Sequence, residues 1–241
     1  MALKIFLVLA FLLPRNGHLI AQRTSGSFSA RISTTPVMPS VVGSIDGKPL
    51  YILGENEIEG SPYFNDEWME GKVLLKSGNE IGILPLKLCL YNCELYYEQN
   101  GISYSIDSVR EVRFQKKTDS NIYVFRVFPA MGQEKNEGMI NIFMQVLVNG
   151  KISFLKFEKR SIEQYKDVSQ AIHFRFKTIY KYYISVDDGR LQQVKFSSES
   201  LLSVLGGYQE EANQLLKVEK VKLKSEPSFI EFINKLNTLN K

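Results

Sequence analysis

The residues of this chain best suited to drive a reaction are its two histidines, two cysteines and a few close carboxylates. Their spacing argues against most reactions. His18 falls inside an apolar leader, which leaves His173. A histidine-based zinc site uses two or three imidazoles, or imidazole with thiolates. One histidine with Cys89 and Cys93 would form such a site only if the fold brought them together. A Ser-His-Asp set would have to use His173, and no Gly-x-Ser-x-Gly turn exists to expose a nucleophile. His173 reads as a strand-edge residue.

Cys89 and Cys93 would lie roughly 13 Å apart on one straight strand, beyond disulfide reach. They could pair only if the chain turned sharply at Leu90–Asn92, whereas the turn signal lies at Asn92-Cys93. Two free buried thiols, or one intermolecular bridge, stay open as readings, ahead of metal binding. Carboxylates cluster at Glu55, Glu57 and Glu59, at Asp66-Glu67 and at Asp187-Asp188. Glycosidases use two opposed acids, but 26 acidic residues create such neighbours by chance. Asp187-Asp188-Gly189 is explained by a hairpin turn, no run has EF-hand spacing, and Gly206-Gly207 lacks the flanking pattern of a phosphate loop. No catalytic, cofactor-binding or metal-ligating residue is assigned, and no cofactor is expected.

The most suggestive stretch is Phe174–Tyr183. As a strand it sets Phe174, Phe176, Tyr180 and Tyr182 on one face and Arg175, Lys177 and Lys181 on the other. Those three cations are a candidate anion-facing surface for envelope components such as lipopolysaccharide or acidic glycan. The plainer reading is preferred: a solvated strand face, its aromatics in the core and its lysines guarding an edge.

The elements that must position these residues begin after an export signal. Lys4 gives a positive start, Ile5–Leu13 is an unbroken apolar run closed by Pro14, and Leu19-Ile20-Ala21-Gln22 offers a small residue for cleavage. The run is far shorter than the roughly 20 apolar residues of a spanning helix. Residues 1–21 are expected to be a signal peptide, with no transmembrane segment once it is removed. Cleavage after Ala21 removes Lys4 and Arg15 and no acid, so the formal charge falls from +4 to +2. A chain so nearly balanced is not expected to bind nucleic acid generally.

Residues 22–48 read as a flexible arm rich in Ser, Thr and Pro, with the first ordered strand around Leu50–Leu53. An antiparallel β domain is expected over 49–197. Its strands are Gly71–Lys76, Glu80–Leu84 broken by Pro85, Leu86–Tyr91, Glu94–Gln99, Ile102–Ile106, Val109–Phe114, Ile122–Phe128, Met139–Val148, Ile152–Phe157, Phe174–Tyr182 and Leu191–Phe196. Asn100-Gly101 and Asn149-Gly150 both carry the signal of a type I′ hairpin. Ser161–Gln170 reads as a short helix or loop. Residues 198–241 then shift to a helical period, with helices opened by Ser198 and Ser225. The expected fold is α+β: a mainly antiparallel sheet, curved or barrel-like, followed by a small C-terminal helical segment packed on it.

Gly60-Ser61-Pro62-Tyr63, Gly71-Lys72-Val73, Ser77-Gly78 and Pro85-Leu86, followed by Tyr91-Asn92 and Glu94, form a pattern. So does the end, with Asp188-Gly189 between strands, then Ser198, Leu201-Leu202 and a lysine-rich tail. Together they resemble a group of uncharacterised exported proteins of Bacteroidetes-type bacteria. The chain differs from that group at Cys89 and Cys93, where polar residues are usual. The resemblance implies export and fold and carries no activity. The function expected is therefore that of an exported soluble protein, in the periplasm or associated with the outer membrane. It would serve as a non-enzymatic binding or interaction module for an envelope component or protein partner. A periplasmic carrier for an apolar or lipid ligand, and a hydrolase with an unrecognised carboxylate site, are the alternatives.

Overall fold

The computed structural model describes residues 44–45, 48–49, 58–115, 121–139 and 141–239. The expected leader and the strand at Leu50–Leu53 lie outside them, as does the expected arm over 22–48 apart from Ser44, Ile45 and Lys48, which are strand residues. Strands β1 (Ser44–Ile45) and β2 (Lys48–Pro49) pair with each other. The other described strands form one open sheet of eleven. They are β3 (Ile58–Glu59), β4 (Met69–Leu75), β5 (Glu80–Cys89), β6 (Glu94–Gln99), β7 (Ile102–Ser105), β8 (Val109–Gln115), β9 (Ile122–Pro129), β10 (Asn141–Val148), β11 (Ile152–Lys166), β12 (Ile172–Val186) and β13 (Gln192–Val194). The order across the sheet is β13-β12-β11-β10-β9-β8-β4-β5-β6-β7. All these neighbours are antiparallel, but β3 pairs with β12 in parallel through Ile58↔Phe174 and Glu59↔Arg175, so the sheet is mixed.

One connection shows that the sheet is rolled. β7 and β8 stand four strands apart in that order, yet only Ile106–Ser108 join them. Four strand spacings in a flat sheet would measure about 19 Å. Four Cα steps reach at most about 14 Å. The segment β4–β8 must therefore curl. Across the curl the Lys76 N–H donates to Ser108 O, and the Ile106 N–H to Leu95 O, each at 2.8 Å. β5 carries the bend by pairing with β4 in its first part and with β6 from Leu86 onward. Pro85 therefore does not break the strand. At that point β4 is the only neighbour, so the missing N–H costs one ladder position at most.

The curl encloses Val73, Leu86, Leu88, Val112, Phe114 and Phe125. On the same side of the sheet, further along, β10–β12 support the helical end. Helices α2 (Ser198–Leu202), α3 (Gln209–Glu219) and α4 (Glu226–Leu239) follow β13; α1 (Gln133–Asn136) is a single turn between β9 and β10. Phe229, Phe232, Ile233 and Leu236 recur at helical spacing on α4 and meet Phe154, Ile184 and Leu201 in a fully buried cluster. Each such side chain contributes roughly 1.5–3 kcal/mol by leaving water. Opposite this cluster, on the other face, Ile142, Met144, Leu155 and Phe157 form a third buried group.

Several local expectations change. Ser161–Lys166 is the second half of β11, in unbroken register with β12 from Ile152↔Val186 to Lys166↔Ile172. Neither of its faces enters a core; cross-strand partners on β12 hold it instead. The helix α2 is capped by Ser197, whose Oγ accepts the Ser200 N–H at 3.1 Å, one residue before the expected cap. Asn100-Gly101 does form the left-handed pair, with φ of 55° and 74°. Asn149-Gly150 does not. Gly150 is required there for space: a Cβ would lie 2.7 Å from the Asn237 side chain. Among the four aromatics expected on one face of β12, only Tyr182 packs against a core cluster, while Phe174 and Phe176 are half-buried and Tyr180 is exposed; Tyr183, on the other face, is buried in the third group.

Candidate functional site

Leu74, Glu111 and Arg126 form one row across β4, β8 and β9. Simple alternation would put Arg110 on the opposite face from Glu111. The register prevents that. One step on β4, from Leu74 to Leu75, matches two on β8, from Glu111 to Val109, so Arg110 is the extra residue of a β-bulge. Bulges re-aim side chains, and Arg110 here lines the same cleft as Glu111, Arg113 and Arg126. A second bulge, at Leu147 in β10, leads into the Asn149-Gly150 turn that walls the cleft. The Asp188-Gly189 turn after β12 forms another wall. Ser153 and Ser185, direct partners on β11 and β12, are buried at its base. The cleft has a volume of about 690 Å³.

Glu111 organises the charge. Its side chain is 8% exposed and accepts Arg113 Nε at 2.8 Å and Arg126 Nε at 2.9 Å. Arg126 also donates to Asn149 Oδ1 at 3.0 Å, which ties the strand to the turn. Burial pushes the Glu111 carboxyl up, but the two guanidiniums outweigh it, and the net shift is below the ordinary value. Glu111 is therefore ionised near neutrality. Among the described residues Arg110 has no hydrogen bond or ion pair. Ser153 Oγ donates to Gly150 O at 3.1 Å and Ser185 Oγ to Gly189 O at 2.9 Å, so neither hydroxyl proton is directed at a base. Asp187 and Asp188 both hold positive φ, 49° and 54°, in the turn at the rim. Asp residues tolerate that conformation better than most.

Arg175, Lys177 and Lys181 share one face of β12, away from this cleft. Glu163, opposite Arg175, accepts from Arg175 at 2.8 and 3.0 Å and from Lys177 at 2.6 Å. Lys181 donates at 2.6 Å to Glu134, a buried carboxylate of α1. The guanidinium of Arg175 also lies 4.8 Å from the Tyr165 ring centroid. Two carboxylates thus meet the three cations within the chain.

His173 lies 3.0 Å from Asp167, which also accepts the Ser169 hydroxyl at 2.7 Å and the Ala171 N–H at 2.9 Å. The Ser169 hydrogen bond, then that of His173, holds Asp167 at about 2. The serine bonds the carboxylate and not the imidazole, so no relay runs from hydroxyl to ring. Among the described residues neither Cys89 nor Cys93 is in a disulfide. The turn between them spans Leu90–Cys93 and pairs Cys89 with Glu94, so the straight-strand separation does not apply. Burial pushes the Cys93 thiol up to about 12, and its Sγ lies 3.9 Å from Met139 Sδ. Asp66 and Glu67 are exposed, Glu59 accepts the Tyr165 hydroxyl at 2.9 Å, and Glu55 and Glu57 lie outside the described residues.

Among the described residues no group of three or more His, Cys, Asp or Glu is placed to hold a metal ion. No described helix is long and apolar enough to cross a membrane. Sequence reasoning did not single out Arg110, Arg113 or Arg126. The one local signal, Arg110-Glu111-Val112-Arg113, reads as ordinary strand alternation until the bulge is known. Comparison with known proteins finds no matching family model, no matching curated protein and no matching solved structure.

Proposed function

We propose that this chain is an exported, non-enzymatic binding module of the cell envelope, working in the periplasm or at the outer membrane, and that the arginine-lined cleft is its binding surface. The observation that carries the reading is three guanidiniums gathered around one ionised, already paired carboxylate. Such an arrangement presents charge and donors without a group poised to move a proton. Export rests on the leader and on the family resemblance.

The two alternatives find less support. A carboxylate-based hydrolase needs an acid whose pKa is raised, and Glu111 moves the other way. A carrier needs an apolar cavity. The helical end is instead filled by Phe229, Phe232, Ile233 and Leu236, and charge rings the cleft.

The test is to express the chain with its leader in a bacterial host, fractionate the cells, and pass envelope extract over the purified product. Expected are a shortened chain outside the cytosol and capture of an envelope component that Arg110→Glu/Arg113→Glu abolishes, with circular dichroism unchanged. Capture unaffected by the double variant would overturn the assignment of the cleft, and an intact cytosolic chain would overturn export.

A further inference from the structure

We infer that the cleft takes a phosphorylated saccharide, with the phosphate between Arg110 and Arg113 and the sugar hydroxyls against the Asn149-Gly150 and Asp188-Gly189 turns. The inference rests on the cleft being the binding surface and names what it binds.

The guanidiniums are not equivalent. Arg126 gives Nε to Glu111 and another nitrogen to Asn149, which makes it a positioning residue for the turn. Arg113 gives Nε to Glu111 and is 61% exposed at its side chain. Arg110 is exposed and lacks any partner among the described residues. Arg110 and the outer nitrogens of Arg113 are therefore the donors left for a ligand. Planar forks of this kind match the oxygens of an oxyanion.

Charge favours an anion, and donor geometry favours phosphate. Three arginines face Glu111 and Asp188 across the cleft, a net surplus of one positive charge. Two separate guanidinium forks can meet the three terminal oxygens of a phosphomonoester, whereas the two oxygens of a carboxylate suit a single fork. The same two acids disfavour an extended polyanion such as nucleic acid.

Size and lining supply the rest of the ligand. A space of about 690 Å³ exceeds what one phosphate fills and falls in the range of small-molecule sites. Beyond the arginines the lining offers two serine hydroxyls, the Asn149 amide, the Asp188 carboxylate and turn carbonyls, with Leu155 and Phe128 as apolar surface. Alternating hydrogen-bonding and apolar groups suit a polyhydroxylated ring. Two register shifts and the left-handed Asp187-Asp188 turn border the cleft.

The probe is glucose 1-phosphate, titrated calorimetrically against the leader-free chain, with glucose, glucuronate and inorganic phosphate beside it. Glucose 1-phosphate is expected to bind, and Arg110→Gln and Arg113→Gln each to weaken it by about 10- to 100-fold, as loss of charge-assisted hydrogen bonds does. Lys177→Gln, outside the cleft, is expected to change nothing, and thermal melts check that each variant folds. No binding up to about 10 mM, binding indifferent to both arginine variants, or inorganic phosphate or glucuronate binding as tightly as the sugar phosphate would each overturn the inference. Vesicles bearing a phosphorylated disaccharide lipid, compared with phosphatidylcholine vesicles, separate the sources. Retention that glucose 1-phosphate displaces marks a lipid headgroup, and binding of the soluble sugar phosphate alone marks a free metabolite. If envelope capture is lost in the arginine variants while no sugar phosphate binds, the ligand class falls and the binding surface stands. If capture survives those variants, the binding surface itself falls.

Discussion

Replacing Glu111 with glutamine separates the two duties of that residue. The substitution keeps the size and an acceptor oxygen and removes the charge. Hydrogen bonds to charged partners contribute about 1.5–3 kcal/mol each, and breaking a fully buried ion pair costs about 3–5 kcal/mol. Here the partners are not fully buried: the side chains of Arg113 and Arg126 are 61% and 31% exposed. Water can therefore rehydrate them, and the expected loss is about 1–2 kcal/mol at pH 7. For a chain of this size that lowers Tm by about 2–8 °C.

The pH dependence follows from the direction of the shift. Burial raises the Glu111 pKa, the two arginines together lower it by more, and the net value lies below the ordinary 4.5. Stabilisation is then fully present above the unfolded pKa and is lost as pH falls through the folded one. Urea titrations should show a constant gap between the two proteins from pH 7 to about 5.5, closing below about pH 4. The sugar phosphate should meanwhile bind the variant more tightly. A carboxylate on the order of 7 Å from the anion, at an effective dielectric of about 40, opposes each unit of its charge by ~1.2 kcal/mol; for a phosphomonoester of roughly −1.5 to −2 that is about 2 kcal/mol, or about 20- to 60-fold. Equal stability at pH 7, or a gap that persists to pH 3, would refute the electrostatic reasoning. A loss of both stability and affinity would refute the placement of Glu111 beside the ligand.

Other consequences are equally accessible. Asn237→Ala strips partners from both backbone groups of buried Ile152, held at 2.9 and 2.8 Å, and should cost about 2–4 kcal/mol in urea unfolding. Gly150→Ala should destabilise the native chain by collision with Asn237 but do less harm beside Asn237→Ala, with a coupling above about 1 kcal/mol; additive losses would deny the contact. Phe229→Ala empties a site packed by Phe154 and Phe196 and should cost about 3–5 kcal/mol, read from the same titration. Both thiols should resist Ellman's reagent at pH 8 in the folded chain, since Cys89 is buried and the Cys93 thiol is raised to about 12. Unfolding should release both, and none would reveal a bridge.

The parts of the fold readable in advance are those set by near neighbours. The Asn100-Gly101 turn depends on two residues that tolerate positive φ, and the α4 stripe on its own periodicity. The second half of β11 was not readable, because Ser161–Lys166 buries neither face. Its hold comes from β12, where Arg175 and Lys177 meet Glu163. Asn149-Gly150 carries a turn signal for a different reason from the usual one, the approach of Asn237 some 85 residues later. The cleft was the least visible part. It joins Arg110 to Asp188 through a register slip that appears only once β4 and β8 are paired.

Gly150 belongs to two structures at once. It walls the cleft on one side of the sheet and is the seat on which Asn237, in the last turn of α4, closes against the start of β11. The terminal helix thus works as a clasp fastened from behind. Trimming the chain by that one turn, far from any ligand, would slacken the rim that a ligand meets, and a reporter dye near Thr238 would sit where pressure on that rim is first felt.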